Sequence, residues 1–537
     1  MSSMLHMLSD RGPALARRAF LATTGGALTG AAAFGLVNQI GAAQPQIARG
    51  GTLRFATRSD VTALDPHRNI YNPVSMPLAA TTQGLLDLNL RSEPVPGIAS
   101  EWEATPDLLS YTFRLRKGVL FHNGREVDAA AVQWNFARLV DPKRSGNFAR
   151  SALTVLKETT VLDKYTLRCQ LHWPSAAFPA NVVYYPCNLI APDSEAQVDT
   201  HPIGCGPFKF ATWNRYEFTR MERFEHYFET DAAGNSLPYL DAIEARPKKE
   251  DRVRLTALRI GEVDLIDSMA YSEAAAFAQK YAGKYQTWSV PMLGTAFVTF
   301  NMETGPFMDK RVRQAAAHAI NRAVIHQEVF HGQGAIATGF YAPSSPWYME
   351  GVRPAPEYDP DKARFLLRQA GAVGATVLVQ SQVALPYLQR ISDLVQTMWS
   401  AVGLQVTTNV YDQEVLLQKR RAGHFHADSM GASYRFDPDG WFARALLSTA
   451  PTTGEESRFR HDRVDRLILE AGQTVEKSKR LQLYTEIESI VNEELPVLYL
   501  HHLTLLEAGS LSLQGYQPAI SGVFSTAGGG IRTAWLG

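Results

Sequence analysis

The sequence is poor in cysteine, and this excludes a scaffold built on disulfides. Only Cys169, Cys187 and Cys205 occur among 537 residues. Small secreted domains that depend on disulfides carry many more, so this chain must fold around apolar cores instead. An oxidising compartment would permit one pair, of which Cys187 with Cys205 is conceivable. The alternative is three buried thiols that pack as small apolar side chains.

The sequence also lacks an excess of charge of either sign. Lysine and arginine number 53, aspartate and glutamate number 53, and the formal net charge is zero. This balance provides no bulk electrostatic attraction to nucleic acid or to an acidic membrane surface, so we expect no nucleic-acid partner. A chain of 537 residues exceeds a single hydrophobic core, and we expect two or three packed units.

Motifs of catalysis are absent as well. The sequence contains no Gly-x-Ser-x-Gly, no His-Glu-x-x-His and no paired-carboxylate signature. His424 and His426 would lie on one side of a strand, but no carboxylate or thiol stands at ligand spacing. We therefore predict no catalytic residues, no metal ligands and no cofactor, and we interpret the chain as a non-enzyme. An exported hydrolase is the alternative from another functional class.

The N-terminus carries the sharpest local signal. Arg17 and Arg18 stand before an uncharged stretch, residues 20–43, that is rich in Gly, Ala and Thr and ends in Gly-Ala-Ala. Such a pattern is typical of a removable export signal, and the paired arginine favours the Tat type. We predict that residues 1–43 are cleaved and that the mature, soluble protein resides in the periplasm. A transmembrane anchor is the alternative, which the mild hydrophobicity disfavours.

Hydrophobic periodicity divides the rest of the chain into a β-rich block and a block of alternating strands and helices. Residues 51–57 alternate as a first strand, and residues 88–200 contain several strands and one helix that Asp128 should cap. Residues 310–331 are predicted as one long amphipathic helix. Strand, helix and strand follow over residues 377–410, which is typical of a βαβ layout. The sequence therefore predicts an α/β protein.

Several segments resemble the extracytoplasmic solute-binding proteins of ABC importers, specifically the large dipeptide, oligopeptide and nickel-binding class called family 5. The most specific block, residues 111–132, is similar to the family's Y-x-F-x-L-R-x-G-V-x-F-H-[DN]-G core. Residues 202–208 resemble its P-V-G-T-G-P-Y turn, and residues 309–322 resemble its D-x-R-V-R-x-A segment. Further colinear matches stand at 51–66, 95–102 and 358–363.

The resemblance implies a two-lobed periplasmic-binding-protein fold of type II, the large class with an extra β-rich subdomain and a hinge between the lobes. It implies that a small solute is enclosed between the lobes and that the loaded protein docks on the transmembrane subunits of an ABC permease. We expect a monomer. Delivery of a signal to a chemoreceptor or sensor is an alternative. The implied organisation is lobe 1 from 49–87, 201–297 and 501–537, the β-rich subdomain from 88–200, and lobe 2 from 298–500.

The family's ligand loop corresponds to Met430–Pro438 in this chain. Peptide-binding members usually carry W-x-x-D-x-x-D-P there, and its first Asp forms a salt bridge with the amine of the peptide. In this chain the Trp position is Gly431 and that Asp position is Tyr434, whereas Asp437 and Pro438 are kept. The resemblance therefore weakens a standard peptide ligand and favours one with an anionic or aromatic group.

Candidate ligand contacts come from loops at strand ends and from aromatic side chains. A phenol can hydrogen-bond or stack, and a guanidinium can hold a carboxylate or phosphate. Packing, or a surface ion pair for Arg435, is the alternative role. We expect capture of a peptide or peptide-like solute, and binding of nickel or a metal chelate is the alternative within the class. The predicted ligand-binding residues are Tyr71, Asn72, Trp347, Tyr434, Arg435, Phe436 and Trp441.

Overall fold

The computed structural model describes residues 47–68, 72–433, 435–521 and 524–537. The predicted signal peptide, residues 1–43, lies outside these ranges, so its cleavage stays a prediction. Among the residues that are described, no helix is long and apolar enough to cross a membrane.

Strands occur along the whole described chain, and the first of them coincides with the predicted first strand. In chain order they are β1 (Thr52–Thr57), β2 (Leu86–Leu88), β3 (Pro94–Pro96), β4 (Ala99–Ala104), β5 (Ser110–Leu115), β6 (Leu156–Asp163), β7 (Thr166–Leu171), β8 (Phe208–Asn214), β9 (Phe218–Arg223), β10 (Ala242–Pro247), β11 (Leu265–Ile266), β12 (Tyr285–Phe300), β13 (Ala335–Ile336), β14 (Thr376–Gln382), β15 (Gln405–Tyr411), β16 (Ala427–Ser433), β17 (Val497–Ser510), β18 (Leu513–Gln514), β19 (Ser525–Thr526), β20 (Gly529–Gly530) and β21 (Trp535–Leu536).

Helices are concentrated in the second part of the chain, as the periodicity predicts. In chain order they are α1 (Asn72–Thr81), α2 (Ala129–Val140), α3 (Asn147–Ser151), α4 (Phe178–Val182), α5 (Asp251–Arg259), α6 (Tyr271–Lys280), α7 (Lys310–Ala319), α8 (Arg322–Glu328), α9 (Pro360–Ala370), α10 (Pro386–Ala401), α11 (Gln413–Arg421), α12 (Asp439–Leu446), α13 (Pro451–Glu455), α14 (Asp462–Gly472) and α15 (Lys477–Glu494), with short 3-10 helices at Tyr185–Cys187, Pro192–Gln197 and Pro306–Met308.

An 11-stranded sheet organises the molecule, in the order β15-β14-β16-β12-β17-β11-β1-β10-β9-β8 with β13 beside β17. We call β8, β9, β10, β1 and β11 its first half, and β14, β15 and β16 its second half. β1 runs parallel to β10 and β11, and β14 runs parallel to β15 and β16. Because parallel strands end at one edge, the carboxyl ends in each half meet there, where α/β sheets bind their ligands.

β12 and β17 run through both halves of the sheet and pair antiparallel. Residues 285–291 of β12 pair with 504–510 of β17, beside β11, whereas residues 294–300 of β12 pair with β16 in the second half. Between these two parts the register of β12 shifts, after Pro291 and again after Ala296. Such irregularities bend a strand, and we call this part of β12 and β17, where the two halves join, the hinge region.

The β-rich block is a separate antiparallel sheet, β4-β5-β7-β6, covered by α2. The predicted helix cap is confirmed, because the Asp128 carboxylate accepts a hydrogen bond from Ala131 N at 2.8 Å. The core of this block includes Phe113 and Phe178 and continues into Trp441 and Tyr484 beside the second half of the large sheet. The domain boundaries given above stay a prediction.

The prediction of one helix over residues 310–331 is wrong. The chain forms α7 and α8, separated at Ile320 and Asn321. The backbone of Asn321 leaves the helical region, with φ −87° and ψ 95°, and its side chain accepts from Val324 N at 3.2 Å. Asparagine favours such caps over helix interiors because its side chain competes for backbone groups.

The three cysteines are free and buried. The conceivable pairing of Cys187 with Cys205 therefore does not form. Burial raises the pKa of Cys205 to about 12, which keeps this thiol protonated at physiological pH. The structure thus agrees with the alternative, in which the thiols pack as small apolar side chains.

Candidate functional site

A cavity of about 950 Å³ lies where the two halves of the large sheet face each other. Its walls come from segments at or just beyond the carboxyl ends of strands. In the first half these are Arg58 after β1, Lys249 after β10 and Asp267 after β11; in the second half they are Tyr387 after β14 and Gly431 in β16. This volume is that of a cleft for a small ligand.

The first wall carries a partly neutralised guanidinium. Arg58 Nε lies 3.6 Å from Asp267 Oδ2, and its side chain is 41% exposed. Asp267 is buried, and its Oδ1 also lies 3.8 Å from Arg254 Nε. Burial raises the pKa of Asp267, whereas Arg58 and Arg254 act in the opposite direction. The buried carboxylate is therefore shared between two cations.

The second wall carries a phenol and a loosely paired guanidinium. Tyr387 lies in the first turn of α10 and places its hydroxyl above Gly431, where any Cβ would collide with it. The lack of a side chain at Gly431 thus makes room for the phenol. Arg390 Nη2 and Glu328 Oε2 lie 3.8 Å apart, and both side chains are more than half exposed.

The floor of the cavity is the hinge region. Tyr271 Oη donates to Thr504 O at 3.2 Å and accepts from Thr504 N at 3.3 Å, on β17. The Tyr271 ring meets Phe330 of the other half edge-on, with centroids 5.1 Å apart. Burial raises the pKa of Tyr271 to about 12, so it is a neutral phenol. Tyr271 therefore links the hinge strand to both halves.

Three of the predicted ligand-binding residues are only partly described or not described. Tyr71 and Tyr434 lie outside the described residues. Asn72 begins α1, and its backbone position alone is given. For all three, contact with a ligand stays a prediction.

Arg435 and Phe436 lie in the ligand loop but lean away from the large cavity. Arg435 Nη1 donates to Tyr184 Oη at 3.0 Å, and Phe436 packs against the ring of Tyr184 with centroids 5.3 Å apart. Tyr184 belongs to the β-rich block. Phe436 borders a second cavity of only about 40 Å³, which is room for water and not for a solute.

Trp347 and Trp441 act as packing residues in the structure. Trp347 Nε1 donates to Phe436 O at 3.0 Å, and the guanidinium of Arg480 lies 4.9 Å from the ring of Trp347. Trp441 is fully buried and stacks on Phe340 with centroids 4.3 Å apart. Neither indole lines the large cavity, and both support the ligand loop or the core, so their contact with a ligand stays a prediction.

Asp437 has a structural role below the ligand loop. Its carboxylate accepts from Arg480 Nη1 at 2.7 Å and from Arg480 Nη2 at 2.5 Å, and both side chains are almost fully buried. A planar bidentate pair of this kind fixes the direction of the ligand loop. The loop is therefore held from below by α15.

The sequence alone did not point to Arg58, Tyr271, Tyr387 and Arg390. Each of them follows or borders a strand end, but the sequence does not show which strand ends are neighbours. The usable signal is positional: ligands of open α/β sheets bind beyond the carboxyl ends of strands.

Among the described residues, no group of three or more His, Cys, Asp or Glu side chains is arranged to hold a metal.

The comparisons with known proteins agree on one family. The family described as bacterial extracellular solute-binding proteins, family 5 Middle, matches residues 93–454. The glutathione-binding protein GsiB of Salmonella paratyphi A is 28% identical over 504 residues, which is 90% of this chain and 95% of that protein.

Solved structures show the same fold. DppA from Helicobacter pylori, in complex with the peptide STSA, has a TM-score of 0.77 at 23% identity and covers 91% of this chain and 98% of its own. AgaA from A. tumefaciens R10, in complex with agropinic acid, has a TM-score of 0.77 at 23% identity and covers 91% and 99%. The fold is thus the predicted α/β periplasmic-binding-protein fold, whereas the assignment of the two halves of the sheet to lobe 1 and lobe 2 stays a prediction. The chain belongs to the bacterial extracellular solute-binding proteins of family 5, which serve ABC importers.

Proposed function

We propose that this chain captures a small peptide or peptide-like solute with an anionic or aromatic group and delivers it to the transmembrane subunits of an ABC permease. The observation that carries this proposal is the cavity of about 950 Å³ at the strand ends of both lobes. The relatives named above are a glutathione-binding protein and structures with a peptide and an organic acid, which supports the same ligand class.

The geometry explains why binding and closure are coupled. Arg58 and Asp267 line the cavity from the first half of the sheet and Tyr387 from the second, so a ligand between them contacts both halves. The closed state then gains contacts that the open state lacks, and the ligand shifts the population toward it. A permease can distinguish the loaded protein by its closed shape.

The remaining parts of the proposal concern the cell. The chain is exported through its paired-arginine signal, is cleaved after residue 43 and works in the periplasm as a monomer. It binds its ligand without converting it. The absence of hydrolase motifs and the family membership support this role.

Two measurements test the ligand class. The compound that co-purifies with the protein is identified by mass spectrometry. Thermal shift and calorimetry then compare dipeptides, tri-alanine, glutathione, opine-type acids, anionic sugars and nickel–histidine chelates. We expect stabilisation by peptide-like acids.

Other outcomes contradict parts of the proposal. If the protein prefers the metal chelate, the proposed ligand class is wrong. If a bound compound is converted, the proposed non-enzymatic role is wrong. Uptake that is unchanged in a deletion strain, together with lost chemotaxis toward the compound, indicates a sensory partner in place of the permease.

A further inference from the structure

Arg58 lines the cavity, and its guanidinium is only loosely paired within the described residues. Its Nε has no hydrogen-bond partner within the described part of the chain, and the nearest carboxylate atom that pairs with it, Asp267 Oδ2, is 3.6 Å away. That separation exceeds a hydrogen bond. Asp267 also faces Arg254, so one carboxylate serves two cations. Arg58 therefore keeps positive charge to offer to a ligand.

Tyr387 faces the same space from the other lobe. Its hydroxyl is positioned over Gly431, and both residues line the cavity together with Arg58. Burial raises the pKa of Tyr387, and the charge of Arg58 acts on it in the opposite direction. Arg58 and Tyr387 therefore border one cavity from the two halves of the sheet.

The other charged groups of the cavity are less suited to hold an anion. Arg390 is paired with Glu328 at 3.8 Å on its own lobe, and both are more than half exposed. Lys249 and Glu250 are exposed neighbours of opposite sign at the cavity border. Water and these acidic neighbours screen Arg390 and Lys249.

We propose that Arg58 and Tyr387 form a carboxylate subsite, in which a free carboxylate of the ligand accepts hydrogen bonds from the guanidinium of lobe 1 and the phenol of lobe 2. The inference rests on the proposed function and deepens it, because it names the ligand group that joins the lobes. A carboxylate has acceptor sites for both donors at once.

The test uses pairs of compounds that differ only at the carboxylate. Tri-alanine is compared with its C-terminal amide, and glutathione with its glycyl ethyl ester, by calorimetry on the full mature protein. We expect each acid that binds to be favoured about 10-fold or more over its blocked form, since a charge-assisted hydrogen bond is lost. Arg58→Gln abolishes this preference, and Tyr387→Phe reduces it about 3- to 10-fold.

Arg390→Gln is the matched control, since it removes the same charge from the same cavity. It leaves the preference for the acid intact. Thermal unfolding without ligand shows that each variant is folded. Equal binding of acid and blocked form to the unchanged protein overturns the subsite alone, as does a preference that survives in Arg58→Gln. If neither form of either compound binds, the proposed ligand class fails and the subsite fails with it.

Discussion

The second half of the large sheet meets the rest of the molecule in two very different ways. On one side the ligand loop packs against the β-rich block through Tyr184, Arg435 and Phe436, which we call the packed contact, and only about 40 Å³ stays open there. On the other side the strand ends leave a cavity of about 950 Å³ with charged and phenolic walls. The packed contact uses side chains that the sequence marks as ligand contacts.

This difference indicates a division of labour. The packed contact leaves too little space for a solute, so it stabilises one arrangement of the ligand loop and the β-rich block whatever the ligand is. The cavity has partly unsatisfied groups, such as Arg58, and supplies the contacts that depend on the ligand. Specificity should therefore change with cavity substitutions, and stability with substitutions below the packed contact.

The largest expected effect is on stability. Arg480→Ala leaves the Asp437 carboxylate buried without its bidentate partner, so we expect the free energy of unfolding to fall by about 3–5 kcal/mol. Denaturant unfolding measures it. Arg463→Ala is the control, because its pair with Glu486 is about half exposed and should contribute about 0–1 kcal/mol. Equal losses in the two variants would refute a structural role for Asp437.

The next effect is a dependence of stability on pH. Burial raises the pKa of Glu488 to about 8, above its value of 4.5 in the unfolded chain, so the folded state retains a proton that the unfolded state releases. Below pH 4.5 the neutral carboxyl makes its whole contribution to the free energy of unfolding. As pH rises toward 8 this contribution is lost, by at most about 1.4 kcal/mol per pH unit.

Glu488→Gln tests this dependence, because the amide keeps the acceptor for Phe340 N but cannot ionise. The difference between the two proteins, measured as the free energy of unfolding between pH 5 and pH 8, should shift in favour of the variant as pH rises. A constant difference across this range would show that Glu488 is already ionised in the folded protein.

The smallest expected effect is on ligand affinity, and it distinguishes the packed contact from a site that touches the ligand. Tyr184→Phe keeps the ring beside Phe436 but removes the hydroxyl that accepts from Arg435. One hydrogen bond of this kind contributes about 0.5–1.5 kcal/mol, so affinity for every ligand should fall by about 2- to 10-fold without a change in the order of preference. Tyr216→Phe, at a position 80% exposed, should change nothing. Altered ligand preference in Tyr184→Phe would place the ligand at the packed contact.

The sequence predicts the local elements where a strong signal marks their ends. The helix α2 begins after its predicted cap, Asp128, and α9 ends at a glycine, Gly371, with φ 65°. The long strand β12 is missed over most of its length. Pro291 and Gly294, in its middle, are residue types that usually interrupt a strand. In the structure they lie at the register shift of the hinge region, where ladder hydrogen bonds are interrupted.

The candidate site is harder to predict, because it depends on contacts between distant segments. Arg58 and Tyr387 are more than 300 residues apart, and only the strand order brings them to one cavity. Trp441 illustrates the same difficulty, since this aromatic residue near the ligand loop was predicted as a ligand contact and packs in the core. Residue type suggests chemistry, whereas topology decides position.

The most direct test fills the cavity without disturbing the packed contact. Ser272 is exposed at the start of α6 and lines the cavity, so Ser272→Trp should occupy space that a ligand needs. Calorimetry with the compound that co-purifies with the unchanged protein is compared between Ser272→Trp and Ser100→Trp, an exposed position of β4 outside the cavity. We predict that affinity falls about 10-fold or more in Ser272→Trp alone, with the unfolding temperature of the ligand-free protein unchanged. Unchanged affinity in Ser272→Trp would contradict the assignment of this cavity as the solute-binding site.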